Sequence, residues 1–398
     1  MKKIADRLFL ACLAAVLLAV PLWTLARSRH NTVSFYENRT LASRPAWDWE
    51  AVLDGGWFSG WETWYSDHAP GRTTLLRAAA RADMALLKRP VVNDVAASGD
   101  TLLPFWGYER WGTGVYDNWA VPYAEDCAAL SRRVEELGGR FWFVGFPEQS
   151  TYFYDRYPED LDNRRWSQTA ADAAYYRALE ERGVACLDME AAYEEMGRPE
   201  EYYSLVDHHY RWRGAFTAYQ AILDRINRDT GLDLPVLREE DLTLQALPNP
   251  YLGSRSRKLY GLWQTEEKAE IGLLKNPVPF TRTDDGQESE ARVYTLPEND
   301  YRPVTYNLYM GGDHGETIIR TDRPELPSAL VFGDSFTNAL ETVLYASFNE
   351  TRSLDLRHYT ERSLREYIED YRPDVVICVR NNTFFYVNDG NTRMWAEG

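Results

Sequence analysis

Ala329-Leu330-Val331-Phe332-Gly333-Asp334-Ser335-Phe336-Thr337 carries an apolar run into a Gly-Asp turn and hands a serine to the start of a helical pattern. Ala329 to Phe332 read as a buried strand, and Phe336, Ala339, Leu340, Val343 and Leu344 recur at the spacing of one helix face. Ser335 therefore stands at a strand-to-helix junction, where its hydroxyl is exposed at the carboxyl edge of a sheet. The first helical N–H groups there lack intrahelical partners and are available to a developing oxyanion. A plain helix cap is the structural alternative for such a serine. A nucleophilic serine needs a base, so the rest of the chain has to supply one.

Of six histidines, the cluster Val206-Asp207-His208-His209-Tyr210 sets a carboxylate beside an imidazole in a polar loop. A helix follows from Trp212, with Ala215, Ala218, Tyr219, Ile222, Leu223 and Ile226 on one face. On an extended segment residues two apart point the same way. Asp207 is then expected to hold Nδ1 of His209 while Nε2 faces Ser335, with His208 pointing elsewhere. A capping role for the following helix is the alternative for this pair. Asp207, His208 and His209 with Asp313 and His314 also offer ligands of zinc type, but adjacent histidines rarely converge on one ion. The reading is serine chemistry without a metal or cofactor.

Gly333-Asp334-Ser335-Phe336 resembles the nucleophile block of the SGNH hydrolases, and Asp207-His208-His209-Tyr210 resembles the signature of the DHHW proteins, relatives of the alginate O-acetyltransferases. The Asp/His pair precedes the serine, an order similar to the alginate-acetylation proteins. Tyr36-Glu37-Asn38-Arg39-Thr40-Leu41-Ala42, Asp67-His68-Ala69-Pro70-Gly71-Arg72, Gly145-Phe146-Pro147-Glu148-Gln149 and Tyr309-Met310-Gly311-Gly312-Asp313-His314 resemble further family segments. The name-giving Trp is replaced by Tyr210. The resemblance implies Ser335, His209 and Asp207 as a triad. It puts Asp334, Arg380, Asn381 and Asn382, together with Gly312, Asp313 and His314, forward as oxyanion or substrate-binding residues. The SGNH oxyanion glycine is not found, and Asn381-Asn382 end the strand resembling the asparagine block. It further implies O-acetyl transfer to a cell-surface or secreted polysaccharide, beside a membrane-bound O-acyltransferase partner. A carbohydrate acetylesterase with the same residues, or a catalytically silent glycan-binding assembly protein, stays open.

The net charge of −17 over 398 residues argues against nucleic acid, which needs clustered Lys and Arg. Fourteen Trp and 26 Tyr suit either sugar-stacking surfaces or an aromatic core. Leu8 to Ala26 are apolar apart from Pro21 and Thr24, follow Lys2, Lys3 and Arg7, and are long enough to span a bilayer. A retained single-pass anchor at the cell membrane with everything past Arg27 outside is the reading, a cleaved signal peptide the alternative. Cys12 lies in that segment, and Cys127, Cys186 and Cys378 are scattered without a disulfide pattern.

The expected organisation is an anchor over residues 1–26, a helical arm over 27–90 and a catalytic domain over 91–390. The domain is expected to be α/β, an SGNH hydrolase-like three-layer fold with a mostly parallel sheet, because strand and helix patterns alternate through it. A hairpin is expected around Ser98-Gly99-Asp100. Residues 235–327 lose periodicity and read as an inserted irregular/β region, with short strands near Ala291 to Leu296 and Thr317 to Arg320.

Overall fold

The computed structural model describes residues 2–27, 32–105 and 114–391. It divides into two compact units, one of residues 1–95 with 256–264, the other of 96–255 with 265–398.

The first unit holds helices α1 (Lys2–Arg27), α2 (Trp49–Asp54), α3 (Gly56–His68) and α4 (Arg72–Ala85). Ile4–Ala26 of α1 has mean hydropathy 2.5 and is almost wholly unburied, so by length and composition it is able to cross a membrane. Two crossed ion pairs explain the arm's motifs. Arg39 Nη1 donates to Asp67 Oδ2 at 2.8 Å, and Arg72 Nη2 donates to Glu37 Oε1 at 2.8 Å. The Arg39 hydrogen bonds, aided by the Ala42 N–H, overcome burial and hold the Asp67 carboxyl down at about 2.

Strand Val95–Ser98, whose first residue belongs to the first unit, and strand Thr101–Pro104 open the second unit, joined by a turn in which Gly99 has φ +61°. Then come α5 (Val115–Glu136), β1 (Arg140–Phe146), α6 (Arg165–Glu180), β2 (Cys186–Asp188) and α7 (Trp212–Thr230). Strands β3 (Thr281–Asp284), β4 (Gln287–Ser289) and β5 (Glu316–Arg320) lead into β6 (Ser328–Gly333) and α8 (Thr337–Leu344). The remaining elements are β7 (Glu350–Leu354), α9 (Leu364–Tyr371) and β8 (Val375–Asn381). One eight-stranded sheet has the order β4-β3-β5-β7-β6-β8-β1-β2. Strands β7, β6, β8, β1 and β2 are mutually parallel, whereas β5, β3 and β4 extend the edge antiparallel.

Helices cover both faces because the central strands are apolar on both, as buried parallel strands require. Phe141, Phe143, Leu330, Phe332, Val376 and Cys378 pack with α5, α6 and α9 in one core. The alternate residues face α7, where Trp142 Nε1 donates to Asp229 Oδ2 at 3.1 Å, and Trp212 of α7 reaches Thr342 of α8. The four cysteines are free.

The aperiodic stretch 235–327 is not separate from the sheet. It supplies β3, β4 and β5, and it forms a two-stranded ribbon, Leu242–Ala246 with Glu270–Leu274. Ala291 to Leu296 form no strand; only Tyr294 bridges, to Tyr309. Arg292 N–H bonding to Glu290 turns the chain there, and Pro297 ends the apolar run.

Candidate active site

The parallel register sets Gly333 opposite Val379, and Val379 opposite Val144, so the segments after β6, β8 and β1 emerge at one carboxyl edge. A Cβ on Gly333 would lie 1.9 Å from the Val379 carbonyl oxygen, which is why the residue before the turn is glycine. Asp334 pins the turn: its Oδ1 accepts from Phe336 N–H at 3.1 Å, and its Oδ2 accepts from the Asn381 backbone and side chain at 3.1 and 2.9 Å. Thr337 N–H goes to the Asp334 carbonyl. Among the described residues, no hydrogen bond engages the Ser335 N–H. The Ser335 hydroxyl does not cap α8.

Its partner is an imidazole. His209 Nε2 lies 2.7 Å from Ser335 Oγ, and His209 Nδ1 lies 2.7 Å from Asp207 Oδ1. The loop carrying Asp207 is shaped locally, since Tyr203 bridges to Tyr210 and Ser204 Oγ accepts from the N–H groups of Val206 and Asp207. Ser254 N–H donates to Asp207 Oδ2 at 2.6 Å. Burial alone would raise the Asp207 carboxyl, but the His209 hydrogen bond, the two neighbouring imidazoles and the Ser254 N–H hold it well below the usual range. An ionised Asp207 fixes the tautomer of His209 that leaves Nε2 free to accept a proton. The arrangement is chemically competent for nucleophilic acyl chemistry.

Two aromatic rings, Tyr306 and Phe336, contact the imidazole, and Tyr210 backs the second. Tyr306 stacks flat on His209, with centroids 3.6 Å apart and planes 5° apart. Phe336 approaches it at 5.1 Å. Tyr210 packs edge-on against Phe336 and donates its hydroxyl to the Phe336 carbonyl, tying the two loops together. The tyrosine at 210 thus serves as both an aromatic wall and a donor. Contrary to expectation, His208 does not turn away: its Nδ1 is 2.8 Å from Ser254 Oγ and 3.3 Å from Asp207 Oδ1.

No family model matches the chain, and no curated protein matches it. Solved structures do. Bacillus cereus PatB1, in a structure with a sulfonyl adduct, is 21% identical with a TM-score of 0.62, over 76% of this chain and 97% of that one. A DHHW family protein from Eubacterium siraeum is 18% identical with a TM-score of 0.53, over 76% and 95%. The chain has the DHHW fold. The O-acetyltransferase domain of Pseudomonas putida AlgJ is a more distant neighbour, 11% identical with a TM-score of 0.46 over 74% and 93%.

Within this DHHW fold the remaining sequence candidates divide. Arg380, Asn381 and Asn382 make contacts to carboxylates beneath the turn. Arg380 is buried with Nη2 3.0 Å from Asp389 and 3.8 Å separating its Nη1 from Asp334. Asn381 Nδ2 donates to Asp334, and Asn382 Nδ2 donates to the buried Asp172 at 2.8 Å. Asn382 Oδ1 accepts from Glu148 N–H at 2.9 Å. These contacts brace the turn and the strand ends, because polar groups over a buried carboxylate satisfy it first. Asp313 accepts from Asn338 of α8 at 2.9 Å and from Arg357 at 3.2 Å. Gly312, at φ +107°, makes the tight turn ahead of it, and His314 turns to the Met310 carbonyl. Asp313 neighbours Asp355 and His358 rather than Asp207, and the Arg357 guanidinium neutralises that carboxylate pair.

Sequence reasoning missed Ser254 and Tyr306, which sit in the aperiodic stretch. Gly253 was the available signal: a Cβ there would meet the Val206 carbonyl at 2.3 Å, so only glycine lets that loop reach Asp207. It also missed the buried pair of Arg255 with Glu148, whose neighbour Gln149 donates its N–H to the His208 carbonyl at 3.1 Å.

Proposed function

We propose that this chain is an extracytoplasmic O-acetyltransferase acting on a cell-surface or secreted polysaccharide. The observation that carries the proposal is the relay Asp207–His209–Ser335, with two 2.7 Å contacts in a pocket that ionises the aspartate and stacks the imidazole. Ser335 Oγ attacks the donor's acetyl carbonyl while His209 Nε2 takes its proton. The oxyanion forms against the Ser335 N–H, and collapse expels the leaving group with the proton from His209. An acceptor hydroxyl on the glycan then attacks the acetyl-serine, passing its proton to His209, and collapse breaks the acyl–Oγ bond, returns that proton to Ser335 and leaves the acetyl ester on the sugar. Asp207, Ser254 and Tyr306 keep the ring in place through both halves. The sequence resemblance to the alginate-acetylation proteins supports the substrate class and a membrane-bound O-acyltransferase as the donor-side partner. The apolar span Ile4–Ala26 supports a single-pass anchor at the cell membrane, with the second unit outside.

The test is a soluble acetyl ester with and without candidate glycans, scoring released acetate against acetylated oligosaccharide. Ser335→Ala is expected to remove both products while leaving the fold intact, and acetylated glycan is expected to dominate when a cognate acceptor is present. Acetate as sole product with every glycan tried would replace transfer by hydrolysis. PatB1 occurs with a sulfonyl adduct, so a sulfonyl fluoride is expected to inactivate this chain by modifying Ser335.

A further inference from the structure

The arm that follows α1 exposes an aromatic face for which the acyl chemistry has no use. Trp47 and Trp49 are 61% and 67% exposed, Leu53 85% and Phe58 59%, all within α2, α3 and the residue before them. These rings are one end of a continuous ladder. Trp49 meets Trp47 at 5.3 Å, Trp47 meets Trp57 at 5.2 Å, Trp57 meets Trp61 at 6.0 Å, and Trp61 meets Trp64 at 5.4 Å. The inner end, Trp64, is 2% exposed and is covered by the Arg44 guanidinium, 4.9 Å from its ring centroid. Arg44 also donates to the Leu25 carbonyl at 3.1 Å, in the last turn of α1. The ladder therefore starts at the end of the apolar span and runs outward. A cavity of about 600 Å³ beside Trp23 is lined by Val33, Phe35, Leu41 and Pro70 and also by the polar Asp67, His68, Arg72 and Thr73.

Tryptophan favours the boundary between hydrocarbon and water, where its ring is buried and its N–H stays solvated. The charges nearby decide the kind of surface. From Pro45 to Gly71 the chain holds Asp48, Glu50, Asp54, Glu62 and Asp67 and no Lys or Arg. Anionic headgroups are disfavoured by such a segment, because their recognition relies on basic clusters.

We propose that α2 and α3 form a membrane foot, seating Trp47, Trp49, Leu53 and Phe58 among the headgroups of the outer leaflet by apolar burial, independently of lipid charge. The proposal rests on α1 being a retained span. Two contacts, one spanning and one interfacial, fix the tilt of the first unit at the bilayer as a single helix does not.

The full chain is tested in phosphatidylcholine nanodiscs, with Cys12→Ser and Cys186→Ser removing accessible thiols. Nitroxide labels are placed separately at Leu53→Cys in the foot, Leu13→Cys in the span and Leu296→Cys on an exposed loop, and collision with oxygen and with a water-soluble nickel chelate is measured. The label at 53 is expected to lose nickel access and gain oxygen access relative to 296, to a depth shallower than 13, and to be unmoved by high salt. A label at 53 matching 296 while 13 stays lipid-protected overturns the foot and leaves the anchor standing. Nickel access at 13 would overturn the anchor itself. Shielding at 53 from both reagents would mean a second copy covers the face, which also contradicts a lipid occupant.

Discussion

At residue scale, the catalytic reading rests on what each atom of one imidazole touches. Nδ1 is held by an ionised carboxylate, Nε2 meets Ser335, and the ring face lies on Tyr306. Asp207→Asn keeps the shape but removes the charge and turns one accepting oxygen into an N–H donor, so the tautomer is no longer fixed. We expect kcat/KM on an acetyl ester to fall about 10³-fold or more, with little change in melting temperature. Tyr306→Leu removes the flat support and is expected to cost up to about 100-fold through misplacement of the ring, whereas Tyr306→Phe restores most of the rate. Equal losses in both variants would show that the hydroxyl, not the stacking, matters. A second titratable group lies nearby: burial pushes the Glu267 carboxyl up to about 7 against hydrogen bonds from Ser204 and the Leu205 N–H and the charge of Arg211. Its folded form keeps a proton that the unfolded chain releases, so stability falls as pH rises from about 4.5 to 7. Glu267→Gln is expected to gain relative stability over that window, by up to about 3 kcal/mol. A variant-minus-parent difference flat with pH would remove the argument.

At element scale, the strand-turn-helix around Ser335 was legible because its apolar run and helix face are local and regular. The loop at Asp207 to His209 was legible for its composition, and the parallel sheet followed from alternation. Boundaries agreed to within a residue where the pattern was regular, as at β5, expected from Thr317 and beginning at Glu316. What was not legible arrives from distant chain. Ser254 and Tyr306 belong to a stretch whose edge strands pair antiparallel and carry polar faces exposed to water, so no hydrophobic period announces them. The contacts of Asn381 and Asn382 to Asp334 and Asp172 were not legible either, because a strand end with donors looks alike whether it faces a groove or a buried carboxylate. The close approach of β6 and β8 gives an element-level test. Gly333→Ala drives a methyl into the Val379 carbonyl, and a loss of about 3 kcal/mol or more is expected by chemical denaturation. Loss below about 1 kcal/mol would mean the two strands have room to part.

On the scale of the whole molecule, the second unit carries the relay at the carboxyl edge of its sheet, as open α/β sheets do, and the first unit carries the apolar span. The proposed chemistry uses the Ser335, His209 and Asp207 side chains and a backbone N–H, so a strong chelator is expected to leave the rate unchanged, and inactivation restored by added zinc would argue for a metal at Asp207, His208 and His209. The most direct measurement is intact-protein mass spectrometry within the first turnovers after mixing with an acetyl donor. The account predicts a chain heavier by one acetyl group, mapped by fragmentation to Ser335, lost when a hydroxyl acceptor is added, and absent from Ser335→Ala. Turnover at the parent rate in Ser335→Ala, or acetyl found on another residue that is kinetically competent, would contradict it.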